Sequence, residues 1–286
     1  MFAAAEKKTH PRILRNINAY RLIGELKADN LRYLEAERMY DDGINLFERE
    51  HERSGLKSDK NVGVLYSDLA DIEYFISGDN ESALRNYQYS VDNGNDTPSI
   101  RYKIGVINYE NDNTEEALNS FIKTVTELPS ERNTLFALGN TLWKRESTLA
   151  AQGYYEKLID ILDREREMTG ALYQPLREEQ SDLVELYMQT ANNLGVTLYK
   201  LAERNSNSAY NARAMSLLSE SIRAWDLLTR NNDTMIRSYS RSLASQNHKY
   251  MTVPNMEYTP EIYVKLPRFI YGDKILKLPE NDSKTQ

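Results

Sequence analysis

Apolar and polar positions along residues 98–165 repeat with a period of 34 residues. Ile104 returns as Leu138, Gly105 as Gly139, Ala117 as Ala151 and Phe121 as Tyr155, with no gap in the alignment. A fixed period of this length marks stacked supersecondary units. Within each copy the apolar spacing predicts two amphipathic helices. In the copy at 98–131, helix A is expected from about Pro98 to Tyr109 and helix B from about Glu115 to Leu128. Thr97 can cap helix A, and Pro98 suits its first position because it has no N–H to leave unpaired. Asn113 or Thr114 can cap helix B, whose first turn carries Glu115 and Glu116 where the helix dipole favours acids. Pro129 ends it, and Ser130 opens the next copy. Gly105 and Gly139 fall in mid-helix, where glycine costs about 1 kcal/mol relative to alanine. The spacing therefore predicts that a helix B side chain fills the space of the missing Cβ. Ala117 and Ala151 are the facing small residues, with Phe121 and Tyr155 one turn later on the same face.

The same template steps along the rest of the chain. A repeat near 17–50 carries Tyr20, Ile23, Gly24, Ala36 and Tyr40 at the matching positions. It comes after a lead-in of residues 1–16, with its first helix opened by Pro11. An insertion at 51–63 precedes a more degenerate repeat near 64–97. There Asp71 takes the glycine position, Ala83 and Tyr87 keep theirs, and Gly78-Asp79-Asn80 forms the turn between helices. After the repeats at 98–131 and 132–165 the spacing stretches. Gly170 ends a helix, and Pro175 opens a long one to about Ala202. A fifth repeat near 188–229 pairs Gly195 and Leu198 with Ala214 and Leu218 on a helix from about Ala209 to Leu228. A short capping helix is expected from about Thr234 to Ala244, closing a repeat domain of 17–245.

From residue 246 to 286 the pattern changes. Pro254, Pro260, Pro267 and Pro279 recur too often for a helix of ordinary length. Tyr258, Ile262, Tyr263, Val264, Leu266, Phe269 and Ile270 are nevertheless too apolar for a disordered tail. An extended arm is expected, packed against the helices or against another chain, which would make a homo-oligomer.

Leu135, Leu138, Gly139, Leu142, Ala151 and Tyr155, with Ile104, Gly105, Ala117, Phe121 and Pro129 one repeat earlier, resemble the tetratricopeptide repeat (TPR). Arg101 departs from that pattern, standing where a bulky residue is usual. The resemblance implies an all-α, right-handed α-solenoid of about five helix pairs with a capping helix and the C-terminal arm. It also implies that the inner face of the A helices lines a concave groove for other proteins or peptides. Here that face reads Phe75 and Ile76, then Tyr102, Val106 and Tyr109, then Phe136, Asn140, Trp143 and Lys144, then Tyr199. Such an apolar, aromatic surface marks a contact if it is open. It can take a partner peptide, be covered by the chain's own arm, or be simple core. Asn140 is the one amide well placed to fix a peptide backbone. The carboxylate clamp of chaperone-binding TPR proteins is not supplied by any three successive repeats. More loosely, residues 192–204 and 221–231 resemble TPR proteins of the spirochaetal periplasmic flagellar collar. That implies a periplasmic assembly scaffold for motility, with other collar or motor proteins as partners.

Composition narrows the chemistry. The net charge of −7 argues against non-specific binding to nucleic acid or an anionic membrane. No apolar run is long enough to span a membrane. The start, Phe2-Ala3-Ala4-Ala5, is too short for a signal peptide and fits the remainder of a trimmed one. With no cysteine there is neither disulfide nor thiolate chemistry. His10, His51 and His248 are too scattered to share a metal, and the acidic pairs Glu115-Glu116 and Glu178-Glu179 point to different helix faces. No phosphate-binding, nucleophile-elbow or zinc motif occurs. The expectation is a non-enzymatic scaffold or adaptor without cofactor or metal. The alternative is an accessory subunit that delivers a ligand to a transporter or enzyme, which a deep enclosed cavity would favour.

Overall fold

The structure, a computed structural model, describes residues 2–170, 178–229, 237–253, 256–270, 272–274 and 276. Among them every regular element is helical. The helices are α1 (Phe2–Asp29), α2 (Tyr33–Ser54), α3 (Lys60–Ile72), α4 (Asn80–Asp92), α5 (Pro98–Glu110), α6 (Thr114–Glu127), α7 (Arg132–Lys144), α8 (Thr148–Thr169), α9 (Glu178–Asn205), α10 (Ser208–Thr229) and α11 (Arg237–Thr252). None of the described helices is long and apolar enough to cross a membrane. The chain forms two compact bodies, residues 1–107 with 272–286, and residues 108–271.

In the first body α1 packs on α2, α2 on α3, and α3 on α4. Tyr40 lies on Gly24: a Cβ added there would meet the ring at 2.3 Å. Asp59 caps α3, its carboxylate accepting from the Asn61 and Val62 amides at 2.9 and 3.2 Å. Gly78 sits in the left-handed region (φ 69°), and Asp79 then caps α4 through the Ser82 amide. Between α3 and this turn the helix widens into a π-helical segment, Glu73–Ser77. Ala70, Tyr74, Ala83, Tyr87, Ile100, Ile104 and Ile107 close one core, and Leu276 packs against the other.

In the second body α7 pairs with α8 and α9 with α10, while α8 meets α9, α6 meets α7, and α10 meets α11. A Cβ on Gly139 would meet the Tyr155 ring at 2.3 Å, and one on Gly195 would meet Leu218 at 3.1 Å. Glu131 caps α7, accepting from the Asn133 and Thr134 amides at 3.1 and 2.6 Å. The Glu131 carboxylate, not Ser130, therefore opens that repeat.

Two helices exceed their expected spans. α1 begins at Phe2 and contains Pro11 instead of starting there; the alanine-rich start is a strong helix former, and one missing N–H does not stop it. α11 runs on to Thr252, past Ala244. Nothing in 245–252 breaks a helix, and the stop comes just before Pro254. The expected openings at Pro175 and Thr234, and the arm's Pro254 and Pro279, lie outside the described residues. Beyond α11 the chain has no regular secondary structure from Met256 to Pro267.

Candidate functional site

The arm lies on the second body, and a set of asparagine side chains holds its main chain. Asn193, on α9, reads Tyr263 at both ends. Its Oδ1 accepts from the Tyr263 N–H at 2.7 Å and its Nδ2 donates to the Tyr263 carbonyl at 3.0 Å. Asn140, on α7, donates to the same carbonyl at 2.8 Å. Asn247, on α11, treats Glu261 likewise, accepting from its N–H at 3.0 Å and donating to its carbonyl at 2.8 Å. Asn192 donates to the Glu261 carbonyl at 3.3 Å, and Asn133 to the Phe269 carbonyl at 2.7 Å. In an extended chain the N–H and C=O of one residue point to the same edge, and residues two apart share that edge. Two bidentate amides two residues apart therefore recognise extended backbone and nothing else.

The amides are fixed by one another. Tyr155 donates its phenol to Asn140 Oδ1 at 2.6 Å, and Asn193 Nδ2 donates to the same oxygen at 2.9 Å. Asn247 donates to Asn192 Oδ1 at 2.9 Å, and Tyr258 donates to Asn247 Oδ1 at 3.0 Å. Burial pushes the Tyr155 phenol well above its ordinary value, so it stays a donor at any working pH. Asn140, Asn192, Asn193 and Asn247 are fully buried. A buried amide whose donors and acceptor are all satisfied is rigid, and it is costly to remove.

Side chains set the rest of the fit. Ile262, Tyr263, Leu266 and Ile270 are buried, while Val264 is 60 % exposed and Glu261 and Lys265 are exposed. Beside the arm a cleft of about 620 Å³ remains, lined by Tyr109, Asn140, Trp143, Lys144 and Lys200. The Lys200 ammonium lies 4.6 Å from the centroid of the Trp143 ring, and that of Lys144 lies 4.6 Å from that of Tyr109. Lys144 also pairs with Asp112. Burial pushes the Tyr109 phenol up to about 12. Along the arm's other flank a cleft of about 1210 Å³ runs past Glu131, Leu183, Leu186, Leu243, Leu266 and Phe269.

The expected groove residues separate. Tyr109, Asn140, Trp143 and Lys144 meet around the arm. Phe136 is fully buried, its ring 6.3 Å from that of Tyr155. Tyr199 sits edge-on to Tyr250, which in turn meets Tyr258. In the first body Tyr102 and Val106 are fully buried, and half-buried Phe75 packs against Tyr74 with Lys103 5.4 Å from its ring. The sequence pattern does not single out Asn133, Asn192, Asn193 or Asn247. Its one usable signal is the pair Asn192-Asn193, set between Ala191 and Leu194 on an apolar helix stretch.

The first body also carries a partly buried ionic cluster. Asp71, standing where other repeats have glycine, accepts from the Tyr87 phenol at 2.5 Å and from Lys103 at 2.6 Å. One turn earlier, Asp68 lies 3.8 Å from Arg21. Burial pushes the Asp68 carboxyl up to about 7 from an ordinary 3.8; Asp71 and Glu25 add to the shift, and Arg21 and Lys103 oppose it. The folded chain thus holds this proton more tightly than the unfolded chain does. The contribution of Asp68 to stability is present at low pH and is lost as pH rises from about 4 to about 7. Asp68→Asn should flatten that fall and raise the melting temperature most near neutral pH. Parallel pH profiles of melting in the two proteins would remove Asp68 as the cause.

No family model matches the chain, and no curated protein matches its sequence. Solved structures do. YrrB, described as a TPR protein with an unusual peptide-binding site, is 15% identical and superposes with a TM-score of 0.55, covering 83% of this chain and 98% of its own. PilF of Pseudomonas aeruginosa is 14% identical with a TM-score of 0.45, covering 85% and 95%. A tetratricopeptide repeat protein from Parabacteroides merdae is 13% identical with a TM-score of 0.43, covering 84% and 95%. We take the fold from the first: the chain has the helical-repeat fold of TPR proteins.

Proposed function

We propose that the chain is a non-enzymatic scaffold that binds other proteins by taking an extended peptide segment into the groove of its second body. The observation that carries this reading is Asn193 closing on both main-chain groups of Tyr263. A site built from buried amides and rings recognises backbone, and it offers no activated nucleophile or acid–base pair. The peptide-binding site named for YrrB supports the same reading. Trp143 is the half-buried aromatic beside the occupied part of the groove. Aromatic residues in such positions commonly contribute about 2 kcal/mol or more to binding. Trp143→Ala should therefore reduce recovery of partners from source-cell extract severalfold while leaving the helical circular dichroism unchanged. Equal recovery by the two proteins would remove this wall from the function.

On the resemblance of 192–204 and 221–231 to collar proteins, we extend the proposal to assembly of a periplasmic flagellar collar. Fractionation of source cells tests it: recovery of the chain in the cytoplasm would overturn the extension and leave the scaffold standing.

A further inference from the structure

The geometry points to residues 261–266 as a resident ligand that holds the place of a partner segment with the same chemistry: extended, with an aliphatic–aromatic pair, two open positions and then leucine. This inference rests on the scaffold reading and goes further, because it names what the groove selects and what keeps it closed.

Three observations converge on it. Asn193 meets the arm only through the main chain of Tyr263, and Asn247 meets residues 261–266 only through the main chain of Glu261, its one side-chain contact being the Tyr258 phenol outside that stretch, so an extended chain of another sequence satisfies the same bonds. Selection then falls to the side chains that are buried. Those are Ile262 at 7 %, Tyr263 at 8 % and Leu266 at 3 % exposure, with Val264 and Lys265 turned out between them. Finally, the arm does not fill its site: clefts of about 620 and 1210 Å³ remain on its two flanks. Both clefts are open to solvent, so they are surface beside the arm that another occupant can reach. A partner segment that made the same main-chain contacts and also used the flanking clefts would hold more surface than the arm does.

A tethered occupant lowers the apparent affinity for a partner by the fraction of time the groove is open. Loosening the arm must then tighten binding in trans. The test uses the full chain and a fluorescein-labelled peptide of residues 259–270, titrated by fluorescence anisotropy. The I262S/L266S chain should bind this peptide about tenfold or more tighter than the wild-type chain does. Adding Asn193→Asp to that chain, or replacing Tyr263 and Leu266 of the peptide by alanine, should abolish the gain. A loosened chain that binds no better than wild type overturns the inference. If circular dichroism shows the loosened chain unfolded, the wild-type chain decides. Excess peptide should speed hydrogen exchange at the Tyr263 amide, and unchanged protection at saturating peptide overturns the inference. A concentration-dependent dimer formed by exchange of arms would assign the site to a second copy and overturn the assignment to a partner. Failure here with Trp143→Ala still losing partners would leave the scaffold reading intact.

Discussion

Gly139→Leu should lower the melting temperature of the second body by about 2–12 °C, the equivalent of roughly 1–3 kcal/mol of overpacking. The Cβ alone would stand 2.3 Å from Tyr155 Cε1 and 2.7 Å from its Cζ. That ring cannot swing aside cheaply, because its phenol is bound to Asn140 Oδ1 and the ring is fully buried. Leucine is a better helix former than glycine by most of 1 kcal/mol, so the loss measures the clash against that gain. Gly153 provides the control within the same helix pair. It is exposed on α8, and a Cβ there meets nothing within 4 Å. Gly153→Ala should therefore stabilise the protein by up to about 1 kcal/mol. Thermal melts of the two variants should move in opposite directions. A Gly139→Leu chain that melts with the wild type would mean that Tyr155 does not fill the glycine notch.

The pairing of glycine with an aromatic 16 residues on is legible in the sequence because it is a packing rule with two visible ends. Gly24 with Tyr40 and Gly139 with Tyr155 show it, and both contacts exist. Asp71 with Tyr87 is the informative exception. The carboxylate fills the notch and the phenol bonds to it, so the spacing survives where the glycine does not. The arm is legible as an element because proline spacing excludes helix and apolar content excludes a loose tail. Its seat is not. Side-chain amides that recognise main chain leave no imprint on the sequence they hold. An asparagine within a helix reads only as a weak helix former until its burial is known. Of the amides on the arm, Asn140 can be anticipated because it sits beside a template glycine. Asn193 and Asn247 lie at positions for which the repeat prescribes nothing. The spans of α1 and α11 escape the sequence pattern for a related reason. Pro11 alone does not stop a helix whose neighbouring residues favour it, and the change in composition near residue 246 comes before the proline at which α11 stops.

Asn193→Asp should release the arm although it changes the side-chain volume hardly at all. The Tyr263 N–H would keep an acceptor. Nδ2, however, donates to both the Tyr263 carbonyl and Asn140 Oδ1, and those two contacts would become oxygen facing oxygen. The new carboxylate would also be buried without a cation, in a pocket whose remaining polar groups are amides and a phenol. The combined penalty is at least about 2 kcal/mol, or roughly a 30-fold shift toward the open arm. Lys265 and Arg268 place two trypsin sites inside the held segment, so nicking there should rise by about the same factor while the helices stay intact. Asn193→Ala should open the arm as well, since it too removes both donors. If trypsin cuts wild type and Asn193→Asp at the same rate, then Asn193 does not hold the arm, which is kept by the buried Ile262, Tyr263 and Leu266 and by the remaining amides. The groove's demand for an extended backbone at Tyr263 would then have lost its main support.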